Sequence, residues 1–132
     1  RKLGMLSVAE AGYLVEVNPD TVVAPDVAFI SRDRLPDFMP DFIPDRGYLP
    51  VRPDLIVEVI SPTDERRDIE SKQALYDRLE IPMVWWIDPQ RKTASIHIWG
   101  QAVRAIDHTG RLDGGDILPG FTLALSDIFD EL

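Results

Sequence analysis

The feature that most constrains the fold is the stretch from Pro53 to Pro62, an apolar run that contains one glutamate. Its Val, Ile and Leu content predicts a β-strand, and a proline near each end marks its limits. Because side chains on a strand alternate between faces, Ile56 and Glu58 share one face and Val57 lies on the other. Both faces are apolar, which indicates a strand buried on both sides. Glu58 then lies on a buried face, where a carboxylate is costly unless it is paired or binds a metal.

Further runs on both sides of this stretch have strand composition or strand alternation. They are residues 13–17, 21–30 and 83–88, and the pair 93–99 and 101–107, which flanks Gly100 as the two arms of a hairpin would. Because a helix is predicted before 83–88, that run should lie parallel to an earlier strand of the same sheet. We therefore predict an α+β fold with a mixed β-sheet flanked by helices.

The helix after the central strand is predicted from about Asp64 or Arg67 to about Leu79, with Thr63 and Asp64 as candidate N-caps. At helical spacing, Lys72 falls inside the apolar face of this helix. The helix therefore turns a lysine either toward the core or toward a site.

Other parts of the chain carry weaker signals. Residues 1–10 indicate no clear element, residues 108–116 are interpreted as a Gly- and Asp-rich turn, and Ser126 is the predicted cap of a short terminal helix. Residues 31–52 contain four prolines and predict a long loop, whose aromatic and apolar side chains suggest packing against a partner subunit.

Composition excludes several classes of protein. The 132 residues are predicted to form a single domain, residues 1–132, and the absence of cysteine excludes disulfides, Cys-based zinc sites and a Cys nucleophile. No apolar run approaches the roughly 20 residues that cross a bilayer, and no signal peptide is visible, so we expect a cytoplasmic protein without a membrane partner.

The net charge of -9 argues against a broad basic surface for phosphates, so nucleic-acid binding would need a local cleft, a metal or a partner.

Three carboxylates and one lysine are the candidates for chemistry: Asp26, Asp54, Glu58 and Lys72. Asp54 and Glu58 are separated by roughly 13 Å of strand, too far to bind one ion easily. Asp26 opens a different strand, and neighbouring strands lie only about 5 Å apart, so Asp26 and Glu58 are the better metal pair if those strands are neighbours. An oxygen-ligand site open to water suits Mg²⁺ or Mn²⁺. Such an ion would activate a water, and Lys72 would orient that water or stabilise developing negative charge.

The same residues lie within a series of motifs: Pro25–Ile30, Pro53–Pro62, Lys72-x-x-x-Tyr76, Trp86–Pro89 and Leu118–Phe121. In this order the motifs resemble the Uma2 family (domain of unknown function 820), which is placed among the PD-(D/E)XK restriction-endonuclease-like nucleases. The resemblance runs from about Gly12 to the C-terminus. That family usually carries a further N-terminal helical segment, so we expect this chain to lack an N-terminal part.

The resemblance implies a restriction-endonuclease-like core and an Mg²⁺-dependent endonuclease that acts on DNA as a homodimer. It implies that Asp26 and Glu58 hold the metal and that Lys72 assists the water. The superfamily has a lysine two residues after the second acid, but that position holds Ile60 here, and Lys72 on the following helix takes its place. Asp54 also matches a family position and is expected to support the site.

Each of these residues also has a structural interpretation. Glu58 could pair with an arginine in the core, Lys72 could extend from the helix edge to solvent, and Asp26 and Asp54 could simply begin strands. Three aromatic residues are interpreted as core and not as a base-stacking platform: Tyr76, Trp85 and Trp86. Two hypotheses therefore stand, a metal-dependent nuclease and a non-catalytic scaffold of nuclease fold that acts by dimerisation or protein binding.

Overall fold

The structure, a computed structural model, describes residues 4–8, 12–16, 21–34 and 51–130. Within these ranges the chain forms strands β1 to β10, helices α1 and α2, and one 3-10 turn at Arg32–Arg34. In chain order the elements are β1 (Gly4–Val8), β2 (Tyr13–Glu16), β3 (Thr21–Val23), β4 (Val27–Ser31), β5 (Leu55–Val59), α1 (Arg66–Arg78), β6 (Met83–Asp88), β7 (Thr93–Ile98), β8 (Arg104–Ile106), β9 (Arg111–Asp113), β10 (Thr122–Ala124) and α2 (Leu125–Asp130).

Six strands form a mixed sheet in the order β1-β4-β5-β6-β7-β8. Strands β5 and β6 are parallel and are joined by α1, whereas the other neighbours in this sheet are antiparallel. The predicted α+β fold, the parallel pair around the helix and the hairpin β7–β8 are all confirmed. Two short pairs, β2–β3 and β9–β10, lie outside this sheet.

The central strand β5 is buried on both faces, as its composition predicts. Ile56 packs into a core that includes side chains of α1, β2 and β3, and Leu55 and Val57 pack into a second core with β9 and α2. Glu58 lies on the α1 side and is only 4% exposed. The fold thus places a carboxylate in the interior beside the helix that carries Lys72.

Helix α1 spans nearly the predicted residues, but its caps differ from the prediction. The N-cap residue is Glu65, whose side chain makes no capping hydrogen bond, so neither Thr63 nor Asp64 caps the helix. Asp64 Oδ2 instead accepts a hydrogen bond of 2.8 Å from the N–H of Ser61, because a short acidic side chain can bond to nearby backbone outside the helix.

Four predictions at the periphery were wrong or incomplete. Strand β1 lies where no element was predicted, the run 21–30 divides into β3 and β4, and the predicted turn 108–116 contains β9. Helix α2 begins at Leu125, so Ser126 lies inside its first turn and is not its cap. Strands β1 and β9 are short, and pairing with β4 and β10 determines them more than composition does.

The predicted long loop at 31–52 lies mostly outside the described residues, and so does its predicted contact with a partner subunit. In the part of the chain that the structure describes, no helix has the length and apolar character that crossing a membrane requires.

Candidate active site

Strands β4 and β5 bring Asp26 beside Glu58. The strands are antiparallel with Val27 opposite Val57, so Asp26, one residue before β4, lies level with Glu58. The N–H of Asp26 donates a hydrogen bond of 3.3 Å to Glu58 Oε1, and Asp26 Oδ2 accepts a hydrogen bond of 2.7 Å from the N–H of Val59. These reciprocal hydrogen bonds hold both carboxylates at the same end of the central strand.

Helix α1 brings Lys72 to the same place. Lys72 Nζ lies 2.8 Å from Glu58 Oε2 and donates a hydrogen bond to it. The Lys72 side chain is 51% exposed and that of Glu58 only 5%, so the lysine spans from solvent to a buried acid. The structure therefore brings together the three residues Asp26, Glu58 and Lys72.

Burial and charge act in opposite directions on Glu58. Burial raises the pKa of the Glu58 carboxyl above its ordinary 4.5, and the nearby charge of Asp26 raises it further. The Lys72 ammonium opposes both effects, through its hydrogen bond and its charge. Beneath the pair, Tyr76 is buried, and burial together with the two carboxylates raises the pKa of its phenol.

Asp26, Glu58 and Lys72 line a cleft of about 280 Å³, which also contains two acids that sequence reasoning missed. Asp64 was predicted only as a candidate N-cap and Asp68 was not among the candidate site residues, but both line the cleft. A sequence signal existed for Asp68, which lies four residues before Lys72 and thus on the same helix face. Among the described lining residues, four are acidic and Lys72 is the one base, so the cleft favours cations.

The side chains present fit a hard divalent cation. Asp26 and Glu58 offer carboxylate oxygens with unused lone pairs toward a cleft open to water. Within the described ranges, no group of three or more acidic or histidine side chains forms a ready-made metal centre. Mg²⁺ requires no such group, because it usually keeps several waters and binds through one or two carboxylates plus substrate phosphates.

Asp54 lies away from this cleft, although it was predicted to support the site. It is 5% exposed and lies next to the N-terminal end of β5, whereas Glu58 lies toward the C-terminal end. Asp54 Oδ1 accepts a hydrogen bond of 2.7 Å from Arg34 Nη1, and Asp54 Oδ2 accepts one of 2.7 Å from the N–H of Ser31. Both carboxylate oxygens of Asp54 thus bind the end of β4 and the 3-10 turn after it, which indicates that Asp54 stabilises the fold.

The raised pKa of Glu58 predicts a pH dependence of stability in the metal-free protein. The folded state binds the proton of the Glu58 carboxyl more tightly than the unfolded state does. The stabilisation of the folded state by this proton is therefore complete below pH 4.5 and is lost as the pH rises through the pKa of Glu58 in the folded state. Glu58→Gln should remove this loss, and its free energy of unfolding should therefore gain on wild type as the pH rises. Urea unfolding with a chelator across the pH range measures the difference, with the exposed Glu70→Gln as the control. Parallel stability curves for wild type and Glu58→Gln would show that burial does not perturb this carboxyl.

Comparisons with known proteins agree with the fold. The profile of the Uma2 family, described as "Putative restriction endonuclease", matches residues 1–126. A crystal structure from Anabaena variabilis, described as "a putative nuclease belonging to DUF820", superposes with a TM-score of 0.75 at 16% sequence identity, covering 97% of this chain and 69% of that one. Among curated proteins the search found no match.

Proposed function

Because the chain belongs to the Uma2 family, described as "Putative restriction endonuclease", we propose that it is a metal-dependent nuclease that hydrolyses phosphodiester bonds in DNA. The observation that supports this most is the convergence of Asp26, Glu58 and Lys72 in one cleft. Glu58 lies 2.8 Å from the Lys72 ammonium and 3.3 Å from the Asp26 main-chain nitrogen. A buried acid that adjoins a second acid and a lysine in an open cleft is the kind of group that hydrolytic sites use.

In this proposal Asp26 and Glu58 hold Mg²⁺ or Mn²⁺. When bound, the ion would lower the pKa of a water and offset charge on the phosphodiester. The Lys72 ammonium lowers the pKa of Glu58 and so opposes the effect of burial. Its ammonium has three N–H donors and the Glu58 bond uses one, so another can orient a water or stabilise a phosphate oxygen.

The acidity of the cleft also makes the cation necessary for binding. Four carboxylates and one ammonium line it, and the chain carries a net charge of -9, so a bare phosphate is repelled. A divalent cation offsets part of this negative charge and gives the phosphate a ligand. The metal is therefore expected to be needed for DNA binding at the cleft as well as for cleavage.

A titration with Mn²⁺ tests the proposed site without relying on activity. Wild type should bind the ion, and Asp26→Asn and Glu58→Gln should each weaken binding by about tenfold or more, since each removes a charged oxygen ligand. Free Mn²⁺ is measured by electron paramagnetic resonance, and Glu70→Gln on the same helix as Lys72 is the matched control. If the two site variants bind Mn²⁺ as wild type does, this pair is not the metal site and the nuclease proposal fails.

A further inference from the structure

Trp86 connects the floor of the cleft to helix α1. It lies directly beside Glu58 across the parallel β5–β6 pair, lines the same cleft and is only 5% exposed. Its indole Nε1 donates a hydrogen bond of 2.7 Å to Oε1 of Gln73. Gln73 follows Lys72 in the sequence, so the Trp86–Gln73 hydrogen bond holds the helix backbone next to Lys72.

The Gln73 amide is held in a single orientation. Its Nε2 donates 2.9 Å to Asp77 Oδ1, one helical turn further along, while its Oε1 accepts from Trp86. An indole N–H can only donate and an ionised carboxylate can only accept, so the reversed amide would lose both bonds. Trp86, Gln73 and Asp77 therefore form a defined chain of hydrogen bonds between sheet and helix.

The part of α1 that carries Lys72 has little else to fix it. Tyr76 is the one buried residue of this helix, and the N-cap Glu65 makes no side-chain capping bond. Before Lys72 the helix contributes only the half-buried Ile69 to the core. A lysine has four rotatable side-chain bonds and loses up to about 2 kcal/mol of conformational entropy when it is held, so its backbone must be well placed for it to reach Glu58.

We propose that the Trp86–Gln73 hydrogen bond is a positioning contact that holds Lys72 against Glu58. Trp86 acts through Gln73 and does not itself touch the reacting atoms. The catalytic consequence of this contact rests on the proposed function, whereas its effect on the Lys72–Glu58 bond does not. In this proposal Trp86 positions Lys72 in addition to packing in the core, which was the only role that the sequence predicted for it.

Two variants remove the contact from opposite sides, and a third provides a matched control. Trp86→Phe keeps an aromatic ring but removes the donor, and Gln73→Met keeps the length of the side chain but removes the acceptor. The control is Trp85→Phe on the same strand. Trp85 is equally buried at 4% and stacks on Phe121, but its Nε1 has no hydrogen-bond partner within the described residues.

The first measurement is the ¹⁵N–¹H spectrum of the lysine ammonium groups in the metal-free protein. The sequence has three lysines, Lys2, Lys72 and Lys92, and Lys72→Met assigns the Lys72 signal. In wild type and Trp85→Phe this signal should be protected from exchange by the bond to Glu58. In Trp86→Phe and Gln73→Met it should broaden or disappear, while circular dichroism shows that both remain folded.

The second measurement is the kinetics of DNA cleavage. The two contact variants should lose about 10- to 100-fold in kcat with KM little changed, because a misplaced catalytic group weakens the transition state more than substrate binding. Trp85→Phe should keep the wild-type kcat. A protected Lys72 signal and unchanged kcat in both contact variants would overturn the proposal. If wild type itself does not cleave DNA, the proposed function fails, but the Lys72 spectrum still decides whether the contact positions the lysine.

Discussion

Replacing Glu58 by glutamine is expected to reduce Mg²⁺-dependent cleavage of plasmid DNA by about a thousandfold or more. The neutral amide removes one charged ligand of the proposed metal and the negative charge that pairs with Lys72 at 2.8 Å. Glutamine has nearly the same shape as glutamate, and it avoids the cost of burying an ionised carboxylate at a position that is 4% exposed. The variant should therefore be inactive yet folded. The measurement is the initial rate at which supercoiled plasmid is converted to nicked and linear forms, with Mg²⁺ and with a chelator.

The control for this experiment is Glu70→Gln, which removes an exposed acid from helix α1 outside the cleft and should cleave at the wild-type rate. Equal cleavage by wild type and Glu58→Gln would indicate a contaminating nuclease and would contradict the role of Glu58. Wild type that is folded but neither cleaves DNA nor binds Mn²⁺ at the pair would favour the second hypothesis, a non-catalytic scaffold.

Replacing Asp54 by alanine is expected to lower the free energy of unfolding by about 3 kcal/mol. The change leaves the N–H of Ser31 and the guanidinium of Arg34 without the carboxylate that both contact at 2.7 Å. Ser31 ends β4 and Arg34 ends the 3-10 turn that follows, so the loss also detaches this turn from the start of β5. Urea denaturation at neutral pH measures the effect.

The matched control for Asp54 is Glu70→Ala, which breaks an exposed ion pair with Arg66 within one helix. Such pairs contribute about 0.5 kcal/mol or less, so the control should be nearly as stable as wild type. An Asp54→Ala protein that loses no more stability than the control would show that the buried contacts are not stabilising. Asp54→Asn, which keeps one acceptor oxygen, should lie between wild type and Asp54→Ala in stability and should keep Mn²⁺ binding at the other end of the strand.

Local pattern was sufficient for the elements with strong periodicity. The central strand, α1, β6 and the hairpin β7–β8 were all predictable, because a buried strand and an amphipathic helix each impose a spacing on their apolar residues. Strands β1 and β9 were missed because their conformation depends on pairing with other strands, β4 and β10, and not on their own composition. The caps of both helices were misplaced, since an acidic or hydroxyl side chain near a helix start has several backbone donors within reach.

The candidate site shows the same division. The helical face of Lys72 and the strand face of Glu58 were readable from spacing, and strand geometry selected Asp26 over Asp54 as the neighbour of Glu58. Spacing could not show that Asp54 binds Arg34, because that contact depends on where the chain goes after β4. It also could not distinguish the two adjacent tryptophans, although only Trp86 has an indole N–H that meets a partner within the described residues.

The sequence by itself determined that a carboxylate would lie inside a doubly buried strand and that a lysine would lie on the inner face of the next helix. Both follow from side-chain periodicity, which is a property of the local backbone. Only the tertiary structure decided that these groups meet within 2.8 Å, that Asp64 and Asp68 join their cleft, and that Asp54 does not. The register of β4 against β5 and the placement of α1 over Trp86 set those distances, and both depend on packing between segments far apart in the chain.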